Sequence, residues 1–278
     1  MGVGPHRKVI DADRMPIIDK GSGAPLVLIP GIQGRWADLR FAVEALSRSF
    51  RVITFPLCGE RASDMSFDPA RGMDNYVAQT MRALDRSGLD GAVLCGVSFG
   101  GLVALRCAAA HPDRTRALVL SSTPGPTWRP CRRHEIYARM PRLLAPFFVA
   151  ETPWRLWPEL ASAFPDLGAR ARFLLAQLLS LRGSPLSFTR MAERARLISK
   201  TNRIADCARV TAPTLVVTGE PALDRVVPVA STVQYLRLIR DARAVILAGT
   251  GHLGPLTRPD AFAAVVRDFV DAAPGVAV

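Results

Sequence analysis

A serine set between small residues is the group in this chain best equipped for covalent chemistry. Gly96-Val97-Ser98-Phe99-Gly100-Gly101 follows the apolar run Ala92-Val93-Leu94-Cys95 and opens a second apolar stretch, residues 100–110. A serine hydroxyl is a weak nucleophile unless a base reaches it and the developing oxyanion is stabilised. A tight strand-to-helix turn meets both needs. It projects the hydroxyl above the sheet edge, and it aims free N–H groups and the positive end of a helix dipole at negative charge. Strand and helix backbones nearly touch at such a turn, so the residues two positions either side of the serine must be small. Gly96 and Gly100 meet that demand, and Gly101 adds room for packing.

The base has four candidates: His6, His111, His134 and His252. Of these, only His252 lies in a glycine-rich loop at a strand end, Gly249-Thr250-Gly251-His252-Leu253-Gly254. A neutral imidazole there can take the serine proton and return it near neutral pH. No His-Glu-x-x-His pattern or ligand cluster is present, so neither a metal nor a cofactor is expected.

The surrounding elements alternate. Apolar runs at Leu26-Val27-Leu28-Ile29, Val52-Ile53-Thr54-Phe55, 92–95, 117–120, 214–217 and 244–247 predict strands buried on both faces. Between them, 36–49, 73–86, 100–110, 227–238 and 259–270 carry helical spacing. In the last of these, Phe262, Val265, Val266, Phe269 and Val270 share one stripe, and Pro259 suits a first turn. Residues 7–20 predict two short strands of an N-terminal hairpin. Strand signals cease from 127 to 206, where helical stretches rich in Arg, Leu and Ala are punctuated by prolines.

With the Ser and His in this context, the chain resembles the α/β-hydrolase superfamily, in particular its members with a helical cap after the sixth strand. The likeness runs from the N-terminal hairpin to the last helix. It implies an α/β fold with a mostly parallel central sheet flanked by helices. The core would comprise residues 1–126 and 207–278, with a helical cap inserted at 127–206. The family orders its triad as Ser, an acid after strand seven and a His after strand eight. The acid then falls on Asp224 in Gly219-Glu220-Pro221-Ala222-Leu223-Asp224-Arg225-Val226-Val227-Pro228, with Glu220 as a minor alternative because the turn is one or two residues longer than the common form. The resemblance also implies an oxyanion hole from the N–H groups of Ile32 and Phe99. Two departures accompany it. Pro30-Gly31 stands where the family has His-Gly, and Phe55-Pro56-Leu57-Cys58-Gly59-Glu60-Arg61 lacks the common aspartate and second glycine.

The implied activity is hydrolysis of a carboxylic ester or related acyl bond through an acyl-Ser98. Ser98 excludes the aspartate-nucleophile relatives. C–C bond hydrolysis, acyl transfer, cofactor-free peroxidation on the same triad and a non-catalytic small-molecule receptor are the alternatives. Trp128, Trp154, Trp157, Phe147, Phe148, Phe164 and Phe173 fall in the cap and suit an apolar pocket, hence a hydrophobic small-molecule substrate.

Composition bounds the partners. The 278 residues are 49% hydrophobic and 22% charged, as in ordinary globular proteins. The net charge of +12 is almost all arginine, with only Lys8, Lys20 and Lys200 as lysines. Residues 127–206 hold 14 basic against 6 acidic side chains, which predicts at most weak attraction of the cap to anionic surfaces. No nucleic-acid motif accompanies the charge, and no nucleic-acid partner is expected. No apolar run is long enough for a transmembrane segment. Residues 1–10 lack an apolar signal region, so a cytoplasmic location is expected. The five cysteines are expected to be reduced thiols, with Cys58 and Cys131 the more exposed.

Overall fold

The computed structural model describes residues 16–183 and 185–273. Seven strands form one sheet: β1 (Ile18–Lys20), β2 (Ala24–Ile29), β3 (Phe50–Thr54), β4 (Ala92–Val97), β5 (Thr115–Ser121), β6 (Thr214–Thr218) and β7 (Ala242–Ile246). Their order is β1-β3-β2-β4-β5-β6-β7, with β1 antiparallel to β3 and every other pairing parallel. The predicted apolar runs are strands, and β4 is buried along its whole length. The first strand expected of the N-terminal hairpin falls largely outside the described residues. Counted on the described strands, the cap therefore follows β5, Asp224 follows β6 and His252 follows β7.

Alternate residues of each strand serve opposite layers. One face sets Val27, Ile29, Ile53, Leu94, Leu118, Leu120 and Val216 against α2 (Asp74–Arg86) and α3 (Phe99–Ala110). The other sets Leu26, Leu28, Val52, Val93, Cys95, Val119 and Val217 against α1 (Arg40–Leu46) and α12 (Pro259–Asp271). The stripe predicted for α12 packs here: Phe262, Val266, Phe269 and Val270 are buried, and Val265 is partly so. α3 is apolar nearly all round, Arg106 excepted, because the sheet, α2 and two helices of the insertion pack around it.

Those insertion helices are α4 (Arg132–Arg139), α5 (Pro141–Ala163), α6 (Leu167–Gly183), α7 (Phe188–Lys200) and α8 (Arg203–Cys207). The prolines punctuate less than expected. α5 runs 23 residues through Pro146, Pro153 and Pro158, each of which removes one backbone donor from the helix. Among the described residues, no helix is long and apolar enough to cross a membrane.

The single helix predicted over 227–238 is two short ones, α9 (Val229–Thr232) and α10 (Tyr235–Leu238), while α11 (Gly254–Thr257) follows the histidine loop. The break lies where side chains anchor elsewhere: Thr232 Oγ1 donates to Thr123 O (2.8 Å) and Tyr235 OH to Pro124 O (2.6 Å). Cys58 also departs from expectation. It is fully buried under Gln79, whose Oε1 accepts its N–H at 2.8 Å, and burial pushes its thiol up to about 12.

Backbone segments pass very close to one another at the end of β4. A β-carbon on Gly96 would collide with the backbone of Gly100, and one on Gly100 with the carbonyls of Ile29 and Pro30. Backbone, unlike a side-chain tip, has nowhere to move. Gly100→Ala is therefore expected to destabilise the protein by roughly 3 kcal/mol or more, read as a shifted urea-unfolding midpoint, through overpacking of the rigid core.

Candidate active site

Ser98 follows β4 directly and caps α3 with φ 54° and ψ −117°, a positive φ that only glycine adopts freely. Its N–H donates to Ser121 O of the neighbouring strand at 2.8 Å, which fixes the turn. The side chain thus leaves the sheet at the C-terminal end of the parallel strands, beside β2, where the strand order reverses. Crevices at that edge are the usual ligand sites of such sheets.

His252 and Asp224 approach from two other strand ends. His252 Nε2 lies 3.0 Å from Ser98 Oγ, and its Nδ1 lies 3.3 Å from Asp224 Oδ2. The other carboxylate oxygen, Asp224 Oδ1, accepts the N–H groups of Val226 and Val227, both at 2.9 Å. Burial pushes the Asp224 carboxyl up. The His252 charge, its hydrogen bond and the two backbone donors together outweigh burial and hold the pKa below its usual 3.8.

Glu220 does different work. Its Oε1 accepts Gly249 N–H at 2.7 Å, and its own N–H donates to Thr250 O at 2.8 Å, so it ties the acid loop to the histidine loop. The two loops also pass too closely for side chains. A β-carbon on Gly219 would strike Gly251 O, and one on Gly251 would strike Leu223 O. The long turn before Asp224 therefore changes how the loops are braced, and Asp224 is the carboxylate that meets His252.

Ile32 and Phe99 line the same cavity as Ser98 and His252. Phe99 is the first residue of α3, where an N–H has no acceptor within the helix. The Ile32 loop is held by a residue that sequence reasoning missed. Arg194 on α7 is completely buried, and its Nη1 donates to Glu60 Oε1 (2.7 Å) and to Ile32 O (3.0 Å). Its Nη2 donates to Cys58 O and its Nε to Tyr76 OH, both at 3.3 Å. Gly34, at φ 73°, leaves the space that this guanidinium fills. Pro30 stands where a family histidine would brace the loop, and here the insertion reaches in and braces it. Glu60 lies in the segment whose departure from the common pattern was visible in sequence. Nothing in the Arg-rich stretch itself distinguished Arg194.

A second buried side chain of the insertion meets the histidine loop. Glu159 on α5 accepts Leu253 N–H with both carboxylate oxygens, at 2.8 and 3.0 Å. Burial raises its pKa, opposed by the Leu253 and Gly251 N–H groups and by the His252 charge.

The cavity between the insertion and the sheet edge measures about 410 Å³. Of the predicted aromatics, Trp128, Phe148 and Phe173 line it, and Phe164 packs on Phe173 with ring centres 4.9 Å apart. Trp154, Trp157 and Phe147 instead face solvent.

A mostly parallel sheet with a helical insertion after β5, and a serine on a strand-to-helix turn facing a histidine, together define an α/β-hydrolase fold. Residues 26–265 match the alpha/beta hydrolase family, and the chain belongs to it. Among curated relatives, 2-hydroxymuconate semialdehyde hydrolase of Pseudomonas sp. strain CF600 is 29% identical over 289 residues, covering 98% of this chain and 96% of that protein. Polyketide synthase ThaQ of Burkholderia thailandensis is 31% identical over 264 residues, covering 93% of this chain, which spans only 12% of that protein's length. The crystal structure of the enol-lactonase from Burkholderia xenovorans LB400 shares the fold, with a TM-score of 0.73 at 22% identity over 92% of this chain and 95% of that one.

Two measurements probe the electrostatics. Arg194→Met strands a buried Glu60 carboxylate and is expected to cost about 3–5 kcal/mol in chemical denaturation, most of it recovered in the double variant Arg194→Met/Glu60→Leu. A depressed Asp224 pKa contributes stability that is present above the unfolded-state value and lost as pH falls through the folded one. The stability gap between wild type and Asp224→Asn should therefore be flat above about pH 5 and close progressively in more acid solution.

Proposed function

We propose that this chain is a serine hydrolase that cleaves a carboxylic ester, or a related acyl bond such as a thioester or lactone, in a hydrophobic small molecule. The observation that carries the reading is the 3.0 Å approach of His252 Nε2 to Ser98 Oγ, backed by Asp224. In the proposed reaction Ser98 Oγ attacks the scissile carbonyl carbon while its proton passes to His252 Nε2. The tetrahedral oxyanion is met by the N–H groups of Ile32 and Phe99, each such donor contributing about 10²–10³ in rate. Collapse breaks the bond to the leaving group, which takes the proton from His252 and leaves an acyl-Ser98. Water, deprotonated by the same imidazole, then releases the acid. Asp224 stays ionised throughout, holding the imidazole tautomer and stabilising the imidazolium. The apolar cavity supports a hydrophobic acyl portion.

The second reading is C–C bond hydrolysis on the same triad. It is favoured by the near full-length match to the 2-hydroxymuconate semialdehyde hydrolase, since the relatives include both C–C bond meta-cleavage hydrolases and esterases.

Labelling with a fluorophosphonate probe tests the nucleophile. Wild type is expected to react at Ser98, Ser98→Ala not at all, and His252→Ala about 10²–10⁴-fold more slowly. Labelling that survives in Ser98→Ala refutes the assignment. A series of p-nitrophenyl esters of rising chain length then separates the readings: rates that climb with length support ester cleavage, and an absent response supports C–C cleavage.

A further inference from the structure

Two helices of the insertion carry apolar side chains on both sides. One face of α5 gives Leu144, Phe148, Leu156 and Leu160 to the cavity wall. The opposite face carries Leu143, Phe147, Trp154 and Trp157, each at least 50% exposed and none of them lining the cavity. At about 100° per residue these four fall within an arc of about 80°, so they form one stripe, which runs about 20 Å along the helix. α6 repeats the arrangement. Its Phe173 and Leu174 line the cavity, while Leu167, Leu175 and Leu178 are more than half exposed and do not.

Single exposed apolar side chains are ordinary, but a cluster of them marks a surface that meets something. Twelve of the fifteen large apolar side chains that the described residues expose fall between residues 136 and 179, so the exposure belongs to this part of the insertion. A helix apolar nearly all round is ordinarily covered all round, as α3 is, whereas α5 and α6 each leave one apolar side open. The surrounding charge selects the partner. Arg139 and Arg142 flank the start of the stripe, and the guanidinium of Arg225 lies 5.1 Å from the Trp154 ring centre. All three are exposed, and none forms an ion pair among the described residues. Of the carboxylates on α4, α5 and α6, Glu151 is paired with Arg133 and Glu159 is buried at the histidine loop, which leaves Glu135 as the exposed, unpaired one. A second copy of the chain would set the same positive charge against this face, and like charges oppose that contact. An anionic lipid surface offers the opposite charge over an apolar interior, and indole rings favour the boundary between the two.

We infer that the exposed face of α5 seats the insertion on an anionic lipid surface, with Leu143, Phe147, Trp154 and Trp157 entering the acyl boundary while Arg139, Arg142 and Arg225 meet the phosphate headgroups. The charge of the insertion by itself gives only weak attraction, and the apolar stripe adds the second anchor that stable surface binding needs. α5 is also a wall of the cavity, so one helix, about 10 Å across, separates the seated lipid from the space over Ser98. The seating does not depend on the reaction at Ser98.

The test is co-sedimentation of the full chain with vesicles of phosphatidylcholine, alone or with about one third phosphatidylglycerol, at about 20 mM and about 500 mM salt, where the screening lengths differ about 5-fold. Wild type is expected to bind the anionic vesicles at low salt about 10-fold or more tightly than the neutral ones, and less tightly at high salt. Phe147→Ser/Trp154→Ser removes two apolar anchors and should weaken binding about 10- to 100-fold. Arg139→Gln/Arg142→Gln should weaken it about 10-fold at low salt and little at high salt. All four side chains are exposed and outside the cavity lining, and a Tm equal to that of wild type shows each variant folded. Quenching of wild-type tryptophan fluorescence by brominated lipid reads the same contact without a variant. Absent binding to anionic vesicles at low salt, absent quenching, or binding unchanged in Phe147→Ser/Trp154→Ser overturns the proposal. A dimer in analytical ultracentrifugation that dissociates in Phe147→Ser/Trp154→Ser assigns the face to a second copy and overturns it equally. None of these measurements reads turnover, so their failure leaves the proposed hydrolysis standing.

Discussion

The crossing of three backbone segments at the end of β4 governs the rest of this molecule. There β4 turns directly into α3, and the loop after β2 passes across the turn, so that Gly96, Gly100 and the Ile29 and Pro30 carbonyls share a volume with no room for a β-carbon. The strained φ of Ser98 follows from this crowding. So does the aim of its hydroxyl, since a relaxed turn would lay the side chain along the sheet instead of above it. The buried sheet beneath, filled from both faces, supplies the rigidity that keeps the strained conformer populated.

Around that fixed point, the partners are positioned by long-range closure and not by local sequence. His252 and Asp224 come from loops that follow β7 and β6, and these loops are locked to each other by Glu220 and by the close passage of Gly219 over Gly251. Ser98, Asp224 and His252 thus each sit beyond the end of a different parallel strand. Parallel pairing puts those ends on one edge, which is why residues more than 150 apart in sequence lie within hydrogen-bond reach.

The insertion does more than roof the cavity. Arg194 on α7 fastens the Ile32 loop and Glu159 on α5 fastens the loop after His252, so buried groups of the insertion touch both sides of the site. Both contacts bury charge, and buried charge is tolerated only where it is paired or amply hydrogen-bonded. Such contacts tie the shape of the site to the seating of the insertion. Arg35 adds a third tie, from the Ile32 loop to Ser180 on α6.

The elbow, the parallel core and the helical insertion were legible because each has a local signature. Glycines must flank a serine at a tight turn, doubly buried strands must be apolar throughout, and an amphipathic helix such as α12 must show its stripe. Where local signals were weak, the structure differed: the 227–238 helix is broken by bonds to the loop after β5, and Cys58 is buried beneath Gln79. The role of Glu220 as a brace, with Asp224 beside the histidine, depends on a loop geometry that spacing alone left open. The arginines show the division most clearly. Sequence established that the insertion is rich in them, yet one guanidinium is indistinguishable from another along a chain. Only tertiary structure decided that Arg194 lies buried against Glu60 and the Ile32 carbonyl. It likewise buried Arg35, outside the insertion, against Ser180 and Asp38, because the partners of a long charged side chain are set by what folds beside it and not by its neighbours in sequence.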